Sequence, residues 1–263
     1  MVFAAANSLI RILLAPVCAA CRRVLSRPLE GSVCAECWMA VPRLSAPSCD
    51  LCGDALPSSH GPFRMCGRCL TSPPAFETAR SAGVYAGSLR ALIHAFKYDR
   101  RRTLAAPLAA LMRVAGMDVL GDADAVVPVP LHPLRALHRG FNQADDLARH
   151  LNLPVWRVLR RTRYGPPQAT LASRDRPGNV WRSFGPSFSL SLGAGPGGRH
   201  RLHNTTVVLI DDVMTTGATL DACSRVLIEA GAARVRALTV ARAVGPVLVP
   251  PLLSHHPSIA PRQ

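Results

Sequence analysis

The sequence predicts an α/β protein, a parallel sheet flanked by helices, preceded by a small module framed by cysteines. Three observations carry this expectation. Eight of the nine cysteines form four CxxC pairs within the first 70 residues. Beyond residue 76, short apolar runs alternate with stretches of helical spacing. One strand candidate ends in two adjacent carboxylates and a turn that opens a helix. Strands that alternate with helices are joined by crossovers, so they run parallel and bury both faces of their sheet.

A chain of 263 residues suggests two domains or one large one. With 49% hydrophobic and 18% charged residues it can bury a core, which excludes disorder along its whole length. No run of 18 apolar residues exists, so no membrane span is expected. The apolar cluster Leu9, Ile10, Ile12, Leu13 and Leu14 has the look of a signal peptide. However, no basic residue precedes it, Arg11 interrupts it, and the cysteine framework follows, so an amphipathic helix is expected instead. The net charge of +15, from 31 basic and 16 acidic residues, attracts polyanions, either nucleic acid or phosphorylated small molecules. Lys97 is the sole lysine.

The CxxC pairs are Cys18 and Cys21, Cys34 and Cys37, Cys49 and Cys52, and Cys66 and Cys69, separated by 12, 11 and 13 residues. Each CxxC turn aims two thiolates at one point, and two such turns complete the tetrahedron that Zn²⁺ prefers. The expectation is therefore two structural zinc sites. The competing reading, a disulfide-rich secreted module, needs an oxidising compartment for which the sequence offers no address. Spacing leaves open whether sequential pairs share a metal, as in tandem ribbons, or alternating pairs do, as in a cross-brace; the tandem is favoured. Few large apolar side chains outside Leu9 to Leu14 occur in this module, so metal supplies much of its folding energy.

Thr71 to Ala75 (TSPPA) reads as a boundary, giving a cysteine module over 1–75 and an α/β domain over 76–244. Within the latter, Leu89 to Tyr98 and Leu104 to Val114 have helical spacing and Ala125 to Val129 is a short buried strand. Gln143 to Leu151 is a helix, Val207 to Ile210 an apolar strand, Ala218 to Ala230 a helix stopped by Gly231, and Val235 to Val240 a strand. The Gly/Ser/Pro segment Gly185 to Asn204 reads as a surface loop. The Pro-rich tail, 245–263, has no period and reads as disordered.

Val207 to Thr219, VVLIDDVMTTGAT, is the most informative stretch. Ligands of open parallel sheets sit beyond the carboxyl ends of strands. A helix N-terminus with threonine hydroxyls and a glycine at the turn is a phosphate cradle. Asp211 and Asp212 would repel a phosphate unless they serve vicinal ribose hydroxyls or Mg²⁺, a combination that describes a ribose 5-phosphate site. No GxxxxGK[ST] and no GxGxxG after a first strand are present, which excludes a P-loop and a dinucleotide fold.

This stretch resembles the signature of type I phosphoribosyltransferases that bind phosphoribosyl pyrophosphate (PRPP). The resemblance implies that Asp211 and Asp212, the catalytic candidates, engage the ribose hydroxyls, and that Thr215, Thr216, Gly217, Ala218 and Thr219 hold the 5′-phosphate. With the cysteine pairs, YAGSLRALIHAFKY (Tyr85 to Tyr98), VPVPLHPLRALHRGFNQADDLAR (Val127 to Arg149), Gln168 to Leu171 and RPGNVWRSF (Arg176 to Phe184), almost the whole chain resembles the ComF family. That family joins a double zinc ribbon to a phosphoribosyltransferase-like domain. The resemblance implies a cytoplasmic bacterial protein that binds PRPP with Mg²⁺ and assists uptake of single-stranded DNA in natural competence, alongside the competence helicase machinery. The alternative is an active phosphoribosyltransferase that moves ribose 5-phosphate to an unknown acceptor and releases pyrophosphate.

Outside the signature, Lys97 is a candidate pyrophosphate contact, since a point cation suits that group. Arg135 and Arg139 are candidates for the basic loop that closes on pyrophosphate in type I enzymes, against the alternative of solvated surface. Asn142 reads as a helix cap, His132 and His138 as structural or exposed, Asp145 and Asp146 as a solvated first turn, and Cys223 as a small buried hydrophobe. Phe96, Tyr98 and Arg100 to Arg102 interleave aromatics with cations as single-strand grooves do, with Phe96 better read as core.

Overall fold

In the computed structural model, residues 2–44, 46–57, 64–131, 140–162, 183–187 and 202–244 are described. Helix α1 (Val2–Leu14) leads into the cysteine framework, which carries two short helices, α2 (Ala35–Met39) and α3 (Gly67–Thr71), each capped by a cysteine. Then follow β1 (Ala79–Val84), α4 (Gly87–Tyr98), α5 (Ala105–Ala115), α6 (Met117–Leu120), β2 (Ala125–Pro128) and α7 (Gln143–Ala148). The chain continues through β3 (Leu159–Arg161), β4 (Phe184–Pro186), β5 (Thr206–Met214), α8 (Ala218–Glu229) and β6 (Arg234–Arg242). Four strands form one all-parallel sheet in the order β1-β6-β5-β2, and β3 and β4 pair antiparallel beside it.

Most expected elements are present, with differences that have physical reasons. The strand expected over Val207 to Ile210 extends to Met214, because the ladder with β6 continues through Asp211↔Thr239 to Met214↔Arg242. The two acids therefore belong to the strand rather than to the turn after it. The helix expected to reach Leu151 ends at Ala148, where His150 and Leu151 donate to the carbonyls of Leu147 and Ala148 and tighten the last turn. The loop expected from Gly185 begins inside β4, and 188–201 and the tail 245–263 lie outside the described residues. Helix α1 forms as expected, with Leu9, Ile12, Leu13 and Leu14 exposed.

Side chains alternate across a strand, and the two faces of the sheet sort accordingly. Val208 and Ile210 of β5 pack with Leu92, Phe96, Leu108 and Met112 of α4 and α5, whereas Val207 and Leu209 pack with Leu220, Cys223 and Leu227 of α8. The cysteine framework straddles the β1 edge. Ala19 of its first half joins the α4/α5 face, with Trp38 and Val41 against it, and Cys49, Cys52, Leu56 and Cys69 of its second half join the α8 face. Its backbone also closes the open edge of the sheet, since Ala79 and Val84 of β1 donate to the carbonyls of Leu51 and Pro42. No helix among the described residues is long and apolar enough to cross a membrane.

Candidate functional site

Strand β5 lies between β6 and β2, so the loop leaving its carboxyl end emerges centrally at the sheet's rim. Alternation decides what each acid meets. Asp212 shares the α4 face with Val208 and Ile210, and there its Oδ1 lies 2.7 Å from Nζ of Lys97, on the last turn of α4. Both side chains are largely buried, at 13% and 16% exposure. Asp211 shares the α8 face, where its neighbours are Cys223, fully buried, and Arg161 of β3. Burial, and then the charge of Asp212, push the Asp211 carboxyl up to about 7. The Asp212 N–H, 2.8 Å from Asp211 Oδ1, and the charges of Lys97 and Arg161 oppose that rise.

Past Met214 the chain turns through exposed Thr215 and Thr216 to Gly217 at φ +83°, a left-handed conformation that favours glycine. A Cβ there would also stand 2.8 Å from Met214 Cε. Helix α8 then opens, with Asp221 N–H donating to the Gly217 carbonyl. Among the described residues, the N–H groups of Thr215, Thr216 and Gly217 donate to no other group, and that of Ala218 reaches only Thr216 Oγ1, at 3.4 Å. Free N–H groups, hydroxyls and the positive end of a helix converge here, an arrangement suited to a phosphate.

The cysteines gather in sequential pairs, Cys18, Cys21, Cys34 and Cys37 in one group and Cys49, Cys52, Cys66 and Cys69 in the other, each group with its sulfurs within 4.8 Å of one another. This is the tandem arrangement. Cys21 Sγ lies 3.8 Å from Cys34 Sγ and Cys52 Sγ 3.6 Å from Cys66 Sγ. A tetrahedron with Zn–S bonds of about 2.3 Å has edges of about 3.8 Å, so both groups fit Zn²⁺. Burial and the neighbouring thiols push Cys37 and Cys69 up, so the fourth thiolate of each group needs a cation beside it.

The remaining candidates divide. Arg135, Arg139, His132 and His138 lie outside the described residues. Asn142 caps α7, its Oδ1 accepting from Ala144 N–H. Asp146 is not solvated: it is buried and takes a bidentate pair from Arg102, both bonds 2.7 Å, while Arg102 stacks over Phe141. Two residues near the acids escape sequence reasoning. Arg161, stacked on Phe184, comes from a three-residue strand too short to show a period. Arg68, between two cysteine ligands, donates to the Thr216 carbonyl at 2.9 Å.

Comparison with known proteins agrees with this arrangement. Residues 9–70 match the double zinc ribbon domain family and residues 136–247 the phosphoribosyl transferase domain family. The chain is 32% identical over 239 residues to the DNA utilization protein YhgH of Escherichia coli strain K12, covering 86% of this chain and 96% of that one. It is 32% identical over 238 residues to competence protein F of Haemophilus influenzae, with the same shares covered. Competence protein ComFC of Bacillus subtilis is 28% identical over 218 residues, covering 81% of this chain and 85% of its own.

Proposed function

The chain belongs to the ComF family, which joins a double zinc ribbon to a phosphoribosyltransferase domain, and from that premise we propose that it binds PRPP with Mg²⁺ at the β5–α8 loop and serves, in the cytoplasm, the handling of single-stranded DNA during uptake or utilisation. The observation that carries the reading is the ion pair between Lys97 and Asp212. Every other described ion pair uses arginine, and only this acid, in the signature itself, is held by the sole lysine. A guanidinium locks a carboxylate with a planar fork, whereas an ammonium is a point charge on a flexible stem. Lys97 is thus suited to leave Asp212 for a diphosphate, which frees Asp212 to accept, with Asp211 beside it, the two ribose hydroxyls.

In this reading the N–H groups of the loop, with the hydroxyls of Thr215, Thr216 and Thr219, receive the 5′-phosphate. Arg135 and Arg139 are further candidates for the diphosphate. Asp211 and Asp212 are the residues that would hold Mg²⁺, whose chemistry is to neutralise charge on the diphosphate. Calorimetric titration of PRPP with Mg²⁺ tests the site: wild type is expected to bind, and the Asp211→Asn/Asp212→Asn double variant is not. Absence of binding by zinc-loaded wild type overturns the reading.

The nucleic-acid part rests on α4. Arg90, His94 and Tyr98 recur at i, i+4 and i+8, all exposed, with the His94 and Tyr98 rings 4.5 Å apart. Exposed rings flanked by Arg90 and Arg100 form a stacking platform for unpaired bases. A single-stranded oligonucleotide is expected to bind with steep salt dependence whether or not the acids are intact. One observation favours a second reading, turnover of PRPP to an acceptor: a carboxyl pushed up to about 7 changes its protonation near neutral pH, as acid–base chemistry requires. Pyrophosphate release with a candidate acceptor, lost in the double variant, is its test.

A further inference from the structure

The second cysteine group is built into the wall of the β5–α8 loop. Arg68 sits between Cys66 and Cys69, so its backbone is fixed when that group closes on its metal. One arm of its guanidinium donates to the Thr216 carbonyl at 2.9 Å and the other to Asp54 Oδ2 at 3.2 Å. Asp54 in turn accepts from Nε of Arg242, at 3.0 Å, and Arg242 donates to the Cys52 carbonyl at 2.8 Å. Arg242 is fully buried at the end of β6, opposite Met214, the last residue before the loop. A second tie runs from Ala75, just past α3, to Asp221 in the first turn of α8, at 2.6 Å.

We propose that Arg68 is a positioning residue through which the second zinc ribbon sets the phosphate loop. It holds the Thr216 carbonyl outward, away from the N–H groups, so that the loop presents donors rather than an acceptor to an anion. The inference rests on the PRPP reading for its ligand but not for its test. Arg68 is 43% exposed, so Arg68→Ala leaves the fold and both zinc sites in place.

The experiment compares wild type, Arg68→Ala and, as a control for lost charge, Arg27→Ala, in zinc-loaded full-length protein without ligand. Amide hydrogen exchange is read at Ala75 and Asp221, whose N–H groups donate to Asp221 Oδ1 and to the Gly217 carbonyl. Arg68→Ala is expected to speed exchange there by about tenfold, the loss of one charge-assisted hydrogen bond, with two zincs per chain retained and Arg27→Ala unchanged. Exchange within twofold of wild type, or an equal effect of Arg27→Ala, overturns the inference. PRPP titration is run on the same samples, and Arg68→Ala is expected to bind about tenfold more weakly. If wild type does not bind PRPP, the proposed ligand fails while the exchange result still decides the role of Arg68.

Discussion

Asp211→Asn should stabilise the protein at neutral and alkaline pH, against the usual effect of removing a charged group from a site. The folded state pushes this carboxyl from 3.8 to about 7, chiefly by burial and by the charge of Asp212. Below about pH 4 both folded and unfolded chains carry the proton and the cost is absent. As pH rises from about 4 to about 7 the unfolded chain ionises first, so the folded state binds the extra proton and stability falls. The difference of about 3 pH units corresponds to about 4 kcal/mol at 1.36 kcal/mol per unit, and water at the half-buried rim reduces it to about 2–4 kcal/mol. About 2 kcal/mol of the change falls between pH 5.5 and 8, where thiolate zinc sites keep their metal. Asparagine mimics the protonated form and removes this slope. Urea unfolding followed by tryptophan fluorescence at pH 5.5, 6.5, 7.5 and 8 should show the variant gaining steadily on wild type. A difference that stays flat with pH, or a variant less stable than wild type at pH 8, would refute the assignment of the shift to burial beside Asp212.

Other perturbations follow from the same geometry. Lys97→Met strands Asp212 without its cation and should cost about 2–3 kcal/mol, less than the roughly 3–5 kcal/mol for breaking a fully buried pair because both side chains keep some contact with water; adding Asp212→Asn should restore most of it in a urea double-mutant cycle. Gly217→Ala forces a side chain into φ +83° against Met214 and should cost about 1–2 kcal/mol, seen as a lower thermal midpoint together with weaker PRPP binding. Cys18→Ser and Cys49→Ser should each reduce bound zinc from two to one by elemental analysis, with the larger drop in thermal midpoint for Cys49→Ser, whose side chain belongs to the core of the α8 face. Tyr98→Ala should weaken oligonucleotide binding by about 1 kcal/mol or more in fluorescence anisotropy without changing the slope against salt.

What was legible in the sequence is what local pattern encodes. Helical spacing placed α4, α5 and α8, CxxC spacing placed the two metal groups, and VVLIDDVMTTGAT placed the loop. Strand β1, ARSAGV, was invisible because its small residues lack an apolar signal; its stability comes from β6 on one side and the cysteine framework on the other. The partner of Asp212 became predictable only once the strand was known to run past the acids, since parity then sends Asp212 toward α4 and Asp211 toward α8. Asp146 looked solvated because its partner, Arg102, lies 44 positions away in the chain. Contacts of that separation leave no local trace.

The buried Arg242 shows why the ribbon and the sheet are one physical object. An arginine at the end of an apolar strand is costly unless every arm is satisfied. Here Asp54 and the Cys52 carbonyl take two donors, and Cys52 Sγ lies 3.7 Å from the third. A Zn²⁺ held by four thiolates carries about −2, which is itself unstable in a buried site. The second group faces Arg242 directly, a buried cation against a charge of that sign. The first group lies nearer the surface, where Arg23 is shared between Cys21 and Glu36. Arginines, which give this chain its positive charge, thus also neutralise the metal centres within it. Neutralisation from β6 rather than from the ribbon itself makes the second metal site dependent on the folded sheet. The dependence runs both ways, because without the anionic centre Arg242 would be buried with only one acid to answer its charge.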